Sequence, residues 1–311
     1  MIELLNELMK EATAGNPMSG QKWSRKDTRQ ISGEMRNQGV PICANTVAML
    51  LRDQDYSLRV NRKSIGETQH PERNQQFEII AEMKNTFEDS GQPILSVDTK
   101  KKELVGNFKN AGATWCREND QVFVHDFRSE ASAIAAPFGM YEPTLNRGTV
   151  VLGISAETGA FAVDAIEQWL QAFGWASYPG LRKLLILCDG GGANNCRARL
   201  WKHRLYQQIS QVYGIEVTVC HYPPGASKWN PVEHRLFSFI SMQWAGIPLR
   251  SLDTMLNCIR STTTATGLTV EAFLNTKSYA KGICISDAQM MEVPLSRHER
   301  LPNWNYTISP N

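Results

Sequence analysis

A chain of 311 residues with 42% apolar content is long enough for one large domain or two ordinary ones, and it can build a substantial core. Its formal net charge of +2 excludes a uniformly basic nucleic-acid binder, so any such contact must come from local clusters. The seven cysteines (Cys43, Cys116, Cys188, Cys196, Cys220, Cys258, Cys284) are odd in number and never spaced Cys-x-x-Cys, which argues against a disulfide framework and reads as reduced thiols in a cytosolic protein.

Met1 to Lys10 mixes Glu3 and Glu7 with leucines in an amphipathic pattern, without an export signal or a membrane span. Ala14 to Gln21, rich in Gly, Pro and Ser, reads as a linker. From Ser24 a polar helix carrying Ile31 and Met35 runs to a stop at Gly39 and Pro41. Asn45 can cap a second helix with Val47, Leu50 and Leu51 inward and Arg52 outward. Helix, short break and helix is the plan of a helix-turn-helix, and the basic residues Arg59, Arg62 and Lys63 that follow suit phosphate contacts. Glu72 to Asn85 is expected as one more helix.

Residues 93–98, Pro-Ile-Leu-Ser-Val-Asp, read as a buried strand with Asp98 at its exit, followed at once by Lys100, Lys101 and Lys102. A lysine run beside an acid at a strand end favours a phosphate-bearing substrate. Residues 110–146 have weak periodicity and are expected as an irregular insertion with a short strand near Val122. Gly148 to Ser155 is strongly β, and Ala160 to Val163 is expected as its return strand in a hairpin, with a helix over Ala165 to Phe173. Lys183 to Cys188 is a continuous apolar strand, buried on both faces, that delivers Asp189 at its C-terminal end. Gly190, Gly191 and Gly192 let the backbone bend and a ligand approach that acid.

Asn195 to Tyr213 is expected as a helix whose exposed side carries Arg197, Arg199, Lys202 and Arg204, and Ile215 to Cys220 as a strand. In Ser-Lys-Trp-Asn-Pro-Val-Glu-His-Arg-Leu-Phe-Ser-Phe-Ile (227–240), Asn230 is a good N-cap and Pro231 fits the first helical position. At 3.6 residues per turn, Val232, Leu236, Phe239 and Ile240 share an apolar face with Glu233 at its edge. His234 points toward solvent, and Lys228 and Trp229 shape the site mouth, where an amine and an aromatic could meet phosphate and base. Leu252 to Ile259 reads as a helix, and the last segment, with Pro294, Pro302 and Pro310, as an extended tail.

Acids at the carboxyl ends of neighbouring parallel strands, with a third from the helix beyond, repel one another unless cations intervene. Hard oxygen ligands suit Mg²⁺ or Mn²⁺, and two such ions about 3.5 to 4 Å apart serve phosphodiester chemistry. Three motifs in this order, Ser-Val-Asp-Thr-Lys-Lys-Lys-Glu (96–103), Cys-Asp-Gly-Gly-Gly-Ala-Asn (188–194) and Ser-Lys-Trp-Asn-Pro-Val-Glu-His-Arg-Leu-Phe (227–237), resemble the DDE transposases of bacterial insertion sequences, nearest to the Rhodopirellula-type DDE group.

The resemblance runs from about residue 24 onward and implies an α/β, ribonuclease H-like fold: a mixed five-stranded sheet flanked by helices, preceded by a small helical region. The expected division is 1–23 helix and linker, 24–88 helix-turn-helix region, 89–265 catalytic domain with an insertion at about 104–147, and 266–311 a C-terminal extension packed on it. It further implies Asp98, Asp189 and Glu233 as a catalytic triad binding two Mg²⁺ or Mn²⁺ ions, which frees 3′-hydroxyls at transposon ends and joins them to target DNA. The expected partners are double-stranded DNA and a second protomer or more, with no membrane, in a cytoplasmic, nucleoid-associated setting. Candidate DNA-contacting residues are Arg52, Arg59, Arg62, Lys63, Lys100, Lys101, Lys102, Arg197, Lys202, Lys228 and His234. Relatives carry more sequence ahead of the helix-turn-helix, so a truncated copy that binds DNA and represses is the alternative expectation, as is a nuclease of this fold without strand transfer.

Overall fold

The computed structural model describes residues 1–15, 22–24, 26–56 and 70–311, which fall into two units, Met1–Ile65 and Gly66–Asn311. In the first unit, helix Ile2–Ala12 precedes a small hairpin in which β1 (Thr13–Gly15) pairs with β2 (Lys22–Ser24), where a plain linker was expected. Helix Thr28–Asn37 starts later than its sequence suggested because Asp27 closes a capping box, its carboxylate accepting from the N–H groups of Arg29 and Gln30 at 2.8 Å. Gly39, at φ +82°, ends it. The next helix, Ala44–Asp53, begins one residue before Asn45, with Cys43 at the cap position and no side-chain cap bond. Ile31, Met35, Val47 and Leu50 bury themselves with Leu5, Leu8 and Met9, and Arg52 faces outward as expected.

The second unit is built on one sheet. Helix Arg73–Asp89 leads into β3 (Ile94–Thr99) and the short β4 (Glu103–Val105). Then come β5 (Ala133–Glu142), β6 (Arg147–Gly153), β7 (Lys183–Asp189) and β8 (Glu216–Tyr222), followed by β9 (Thr269–Asn275), β10 (Leu295–Arg297) and β11 (Asn305–Ile308). The strand order is β10-β11-β8-β7-β3-β5-β6-β9, with β4 paired to β5. Strands β3, β7 and β8 run parallel, while β5 is antiparallel to both β3 and β6. The expected mixed sheet flanked by helices is present, and four of the five expected strands, β3, β6, β7 and β8, lie in it.

Several details differ from the sequence reading, among them the short strand expected near Val122, where none forms. The hairpin partner of β6 is β5, from within the supposed insertion, through a four-residue turn ending at Asn146 with φ +48°. Residues 160–163 belong instead to helix Gly159–Trp169, started by the Thr158 hydroxyl, which accepts from the Phe161 N–H. Both segments are buried almost throughout, so neither shows the alternation that separates a half-buried strand from a helix. The C-terminal segment adds three strands to the sheet: β9 pairs parallel with β6, and β11 pairs antiparallel with β8. Asn305 and Gln76 exchange side-chain hydrogen bonds at 2.7 Å, fastening that edge to helix Arg73–Asp89.

The core has a layer on each face. Trp169, Trp201, Phe161 and Tyr306 pack on one side of the sheet, and Val232, Leu236, Phe237, Ile240 and Met255 on the other. No helix among the described residues is long and apolar enough to cross a membrane, and all seven cysteines are free.

Candidate active site

Two acids stand where adjacent parallel strands end. Asp98 lies near the exit of β3 and Asp189 at the last position of its neighbour β7. Both line an open cavity of about 620 Å³ whose floor is Gly190 to Gly192 and whose far wall is Tyr222, Pro223 and Pro224. Gly192 has φ +71°, a backbone that side chains rarely adopt.

Glu233 reaches the same place from the helical run over residues 231–243, which widens to a π turn at Glu233–Phe237. The wide turn changes the expected helical face. One extra residue per turn brings Phe237 inward, 2% exposed, beside Leu236, so that Phe237 rather than Phe239 completes the apolar face. The sheet beneath is hollowed to receive these rings. A Cβ on Gly139, directly opposite Asp98 in the ladder, would lie 2.4 Å from the Phe237 ring, and one on Gly148 would lie 2.4 Å from the Leu236 side chain. These two glycines let the helix settle on the strands, which brings Glu233 to Asp98.

The Asp98 and Glu233 carboxyl groups share a hydrogen bond. Burial, the neighbouring Asp189 charge and that bond push the Asp98 carboxyl up to about 8, against the opposing pull of the Thr99 N–H, which donates to Oδ1 at 2.7 Å. The pair is therefore held together by a proton near neutrality. Among the described residues no three His, Cys, Asp or Glu side chains form a ready-made metal cage.

Asn230 ties these parts together, a role its sequence position did not disclose. It is fully buried, and its side chain turns to the sheet instead of capping its own helix. Its Nδ2 donates to the Val97 carbonyl at 3.2 Å and to Asp189 Oδ1 at 3.3 Å, while its Oδ1 accepts from the Ser96 hydroxyl at 2.5 Å. Ser96 Oγ in turn accepts from the Val232 N–H at 2.9 Å, so a strand residue caps the helix. The Asn-Pro pair resembles a helix start; only the Ser96 hydroxyl, two residues before Asp98 on the same face, hinted at an inward polar partner.

The basic candidates separate by surroundings. Arg52, Lys101, Arg197, Lys228 and His234 are exposed. Lys100 is paired with Glu103 at 2.6 Å and lies over the Trp244 ring, and Lys102 is paired with Glu157 at 2.7 Å. Lys202 is 6% exposed, not on an outer helix face, because the helix begins only at Arg199 and its first turn packs against β11 through Tyr306. Arg59, Arg62 and Lys63 lie outside the described residues. The exposed Trp229 ring has Lys228 Nζ at 4.1 Å and the Arg73 guanidinium at 4.5 Å, and neither Lys228 nor Trp229 lines the cavity of the acids.

A family model described as Rhodopirellula transposase DDE domain matches residues 4–310. No curated protein matches the sequence. Among solved structures, a Mos1 transposase paired-end complex with left transposon end is similar at 12% identity, over 82% of this chain and 68% of that one, with a TM-score of 0.43. The Mos1 strand transfer complex, also at 12% identity and over 82% and 67% of the two chains, gives 0.39. A Mos1 mariner paired end complex with Mn gives 0.42 at 12% identity, over 82% and 68%.

Proposed function

The chain belongs to the Rhodopirellula transposase DDE-domain family, and from that premise we propose that it is a DNA transposase that hydrolyses a phosphodiester at transposon ends and transfers the freed 3′-hydroxyl to target DNA. The observation that supports this reading is the setting of Asp98, hydrogen-bonded to Glu233 and raised by the Asp189 charge.

The donor set fits a hard divalent ion such as Mg²⁺ or Mn²⁺: it consists of carboxylate oxygens, and a cation can take the place of the proton that Asp98 otherwise retains. Asp98, Asp189 and Glu233 would hold two such ions, which when bound supply activation of the attacking oxygen and stabilisation of the leaving one. The chain's own groups set the geometry. The Thr99 N–H fixes one Asp98 oxygen, and Asn230 holds Asp189 in register with β3. Gly190 to Gly192 keep the approach to Asp189 free of side chains. Lys101, Arg197, Lys228 and His234, exposed around or beyond the acids, would meet DNA phosphates, and Arg52 would do so from the first unit, read as a helix-turn-helix. The active form would pair two or more protomers on two transposon ends, working on nucleoid DNA in the cytoplasm.

The test is Mg²⁺-dependent nicking and strand transfer on terminal-repeat DNA. Asp189→Ala is expected to lower both by more than ~10³-fold while DNA binding persists. Nicking that survives this change would refute the site. Nicking without joining would leave a nuclease, and binding without cutting a DNA-occupying repressor.

A further inference from the structure

A second cavity, of about 600 Å³, adjoins the one that holds the acids, and Cys196, Arg197 and Trp304 line both. Its other charged walls are Arg199, Lys202 and Arg297, set against Glu72. These cations are unequally satisfied. Arg199 is paired with Asp287 at 2.6 Å. Lys202, by contrast, donates to the Cys196 carbonyl at 2.7 Å and Arg297 to the Pro302 carbonyl at 2.9 Å. A carbonyl fixes a cation in place without cancelling its charge, so the cavity keeps a positive excess that no carboxylate among the described residues pairs with at Lys202 or Arg297.

Lys202 makes the arrangement costly. Its 6% exposure removes most of its hydration, and burial followed by the nearby Arg297 and Arg199 charges lowers its pKa. A cluster that repels itself inside a walled cavity is stabilised by an anion. The walls are also firmly placed: His221, fully buried, has Nδ1 at 2.9 Å from the Trp304 carbonyl and Nε2 at 2.9 Å from that of Asn194, joining the loop beyond the triglycine to the C-terminal segment. We propose that this second cavity binds a backbone phosphate of the same DNA strand that enters the acid-lined cavity, with Lys202 and Arg297 as its ligands and Arg197 bridging the two. The inference rests on the DNA-processing reading above. It adds a subsite for a phosphate other than the one being cut.

The experiment measures binding of the full chain to a 3′-overhang duplex of arbitrary sequence across a salt series, in Ca²⁺ so that nothing is cut. Lys202→Met and Arg297→Gln are compared with Arg182→Gln, which removes the same charge beside Lys183 at the opposite, N-terminal end of β7. The expected result is roughly 10-fold weaker binding for each cavity variant, with the slope of log K against log salt smaller by about one, and little change for Arg182→Gln. Arg297 is exposed, so Arg297→Gln carries the test if Lys202→Met does not fold. Equal behaviour of all three variants would overturn the subsite. So would thermal stabilisation of the wild type by inorganic phosphate with DNA affinity unaltered in the variants, which would assign the cavity to a small anion. A wild type that binds as expected yet never cuts would defeat the transposase reading and leave the subsite standing.

Discussion

Two sets of acids occupy this domain, one buried and one half-buried, and their surroundings are opposite. Glu142, at the end of β5 and 1% exposed, receives both Arg147 nitrogens at 2.6 and 2.8 Å, the Trp169 indole N–H at 3.0 Å and the Tyr178 hydroxyl at 3.3 Å. Asp164 is similarly enclosed: Lys277 and Tyr279 donate to one oxygen at 2.9 and 2.8 Å, and Gln208 to the other at 2.9 Å. Burial alone would raise the Asp164 carboxyl, but those bonds and the Lys277 charge outweigh it and hold the group below its ordinary range. Asp98 has one backbone N–H, a second carboxyl and a third acid beside it. Glu142 and Asp164 are matched by donors and cations built into the fold, whereas Asp98 stands against two further acids.

That contrast can be broken at either set. The largest effect is expected at Glu142→Ala, which strands the Arg147 guanidinium inside the protein and should cost about 3–5 kcal/mol in chemical denaturation. Asp98→Asn, a change at a half-buried acid, should leave stability equal or higher, since it removes a repulsion; similar losses in the two variants would void the distinction. Next, Asn230→Ala is expected to weaken divalent-ion affinity, and with it nicking, by about 10- to 100-fold. Ser96→Ala should do the same less strongly, because the Asn230 bonds to Val97 and Asp189 survive it. Isothermal titration with Mn²⁺ reads this directly, and unchanged affinity would confine Asn230 to packing.

A further effect is the dependence on pH. Asp98 has a folded pKa of about 8 against 3.8 for the free side chain, so the folded state binds its proton more tightly. Its contribution to stability is full below about pH 4 and is lost as pH rises toward 8. The melting temperature of the metal-free chain should decline over that window, and Mg²⁺ should raise it more at about pH 8 than at about pH 6. Asp98→Asn should flatten both trends. Asp164 works in the other direction, stabilising above its unfolded value and losing that contribution as pH falls through its lowered folded one.

The two strand-end acids were legible because each follows a short, mostly apolar run, interrupted only by Ser96 ahead of Asp98, a signal that lies within six or seven residues. The helix bearing Glu233 was legible, with Val232, Leu236 and Ile240 inward as expected, but Phe237 was not, because nothing local distinguishes a π turn from 3.6 periodicity. Tertiary pairing decided the rest. Ala133 to Tyr141 became a strand because β3 and β6 flank it, and Asn305 to Ile308 because β8 offered an open edge. Lys202 was misplaced for a related reason, since a lysine on a helix normally faces water and only Tyr306, about a hundred residues later, covers this one.

The registers that complete the sheet join residues far apart along the chain, Arg147 with Thr269 and Cys220 with Asn305. Synthesis runs from the N-terminus, so the three helices of the first unit can collapse on local contacts while β6 and β8 still wait for their outer neighbours. A nascent chain can therefore acquire its small helical unit before the sheet that frames the acids is closed, and an unfinished copy on the ribosome carries those acids on a sheet with two edges still open.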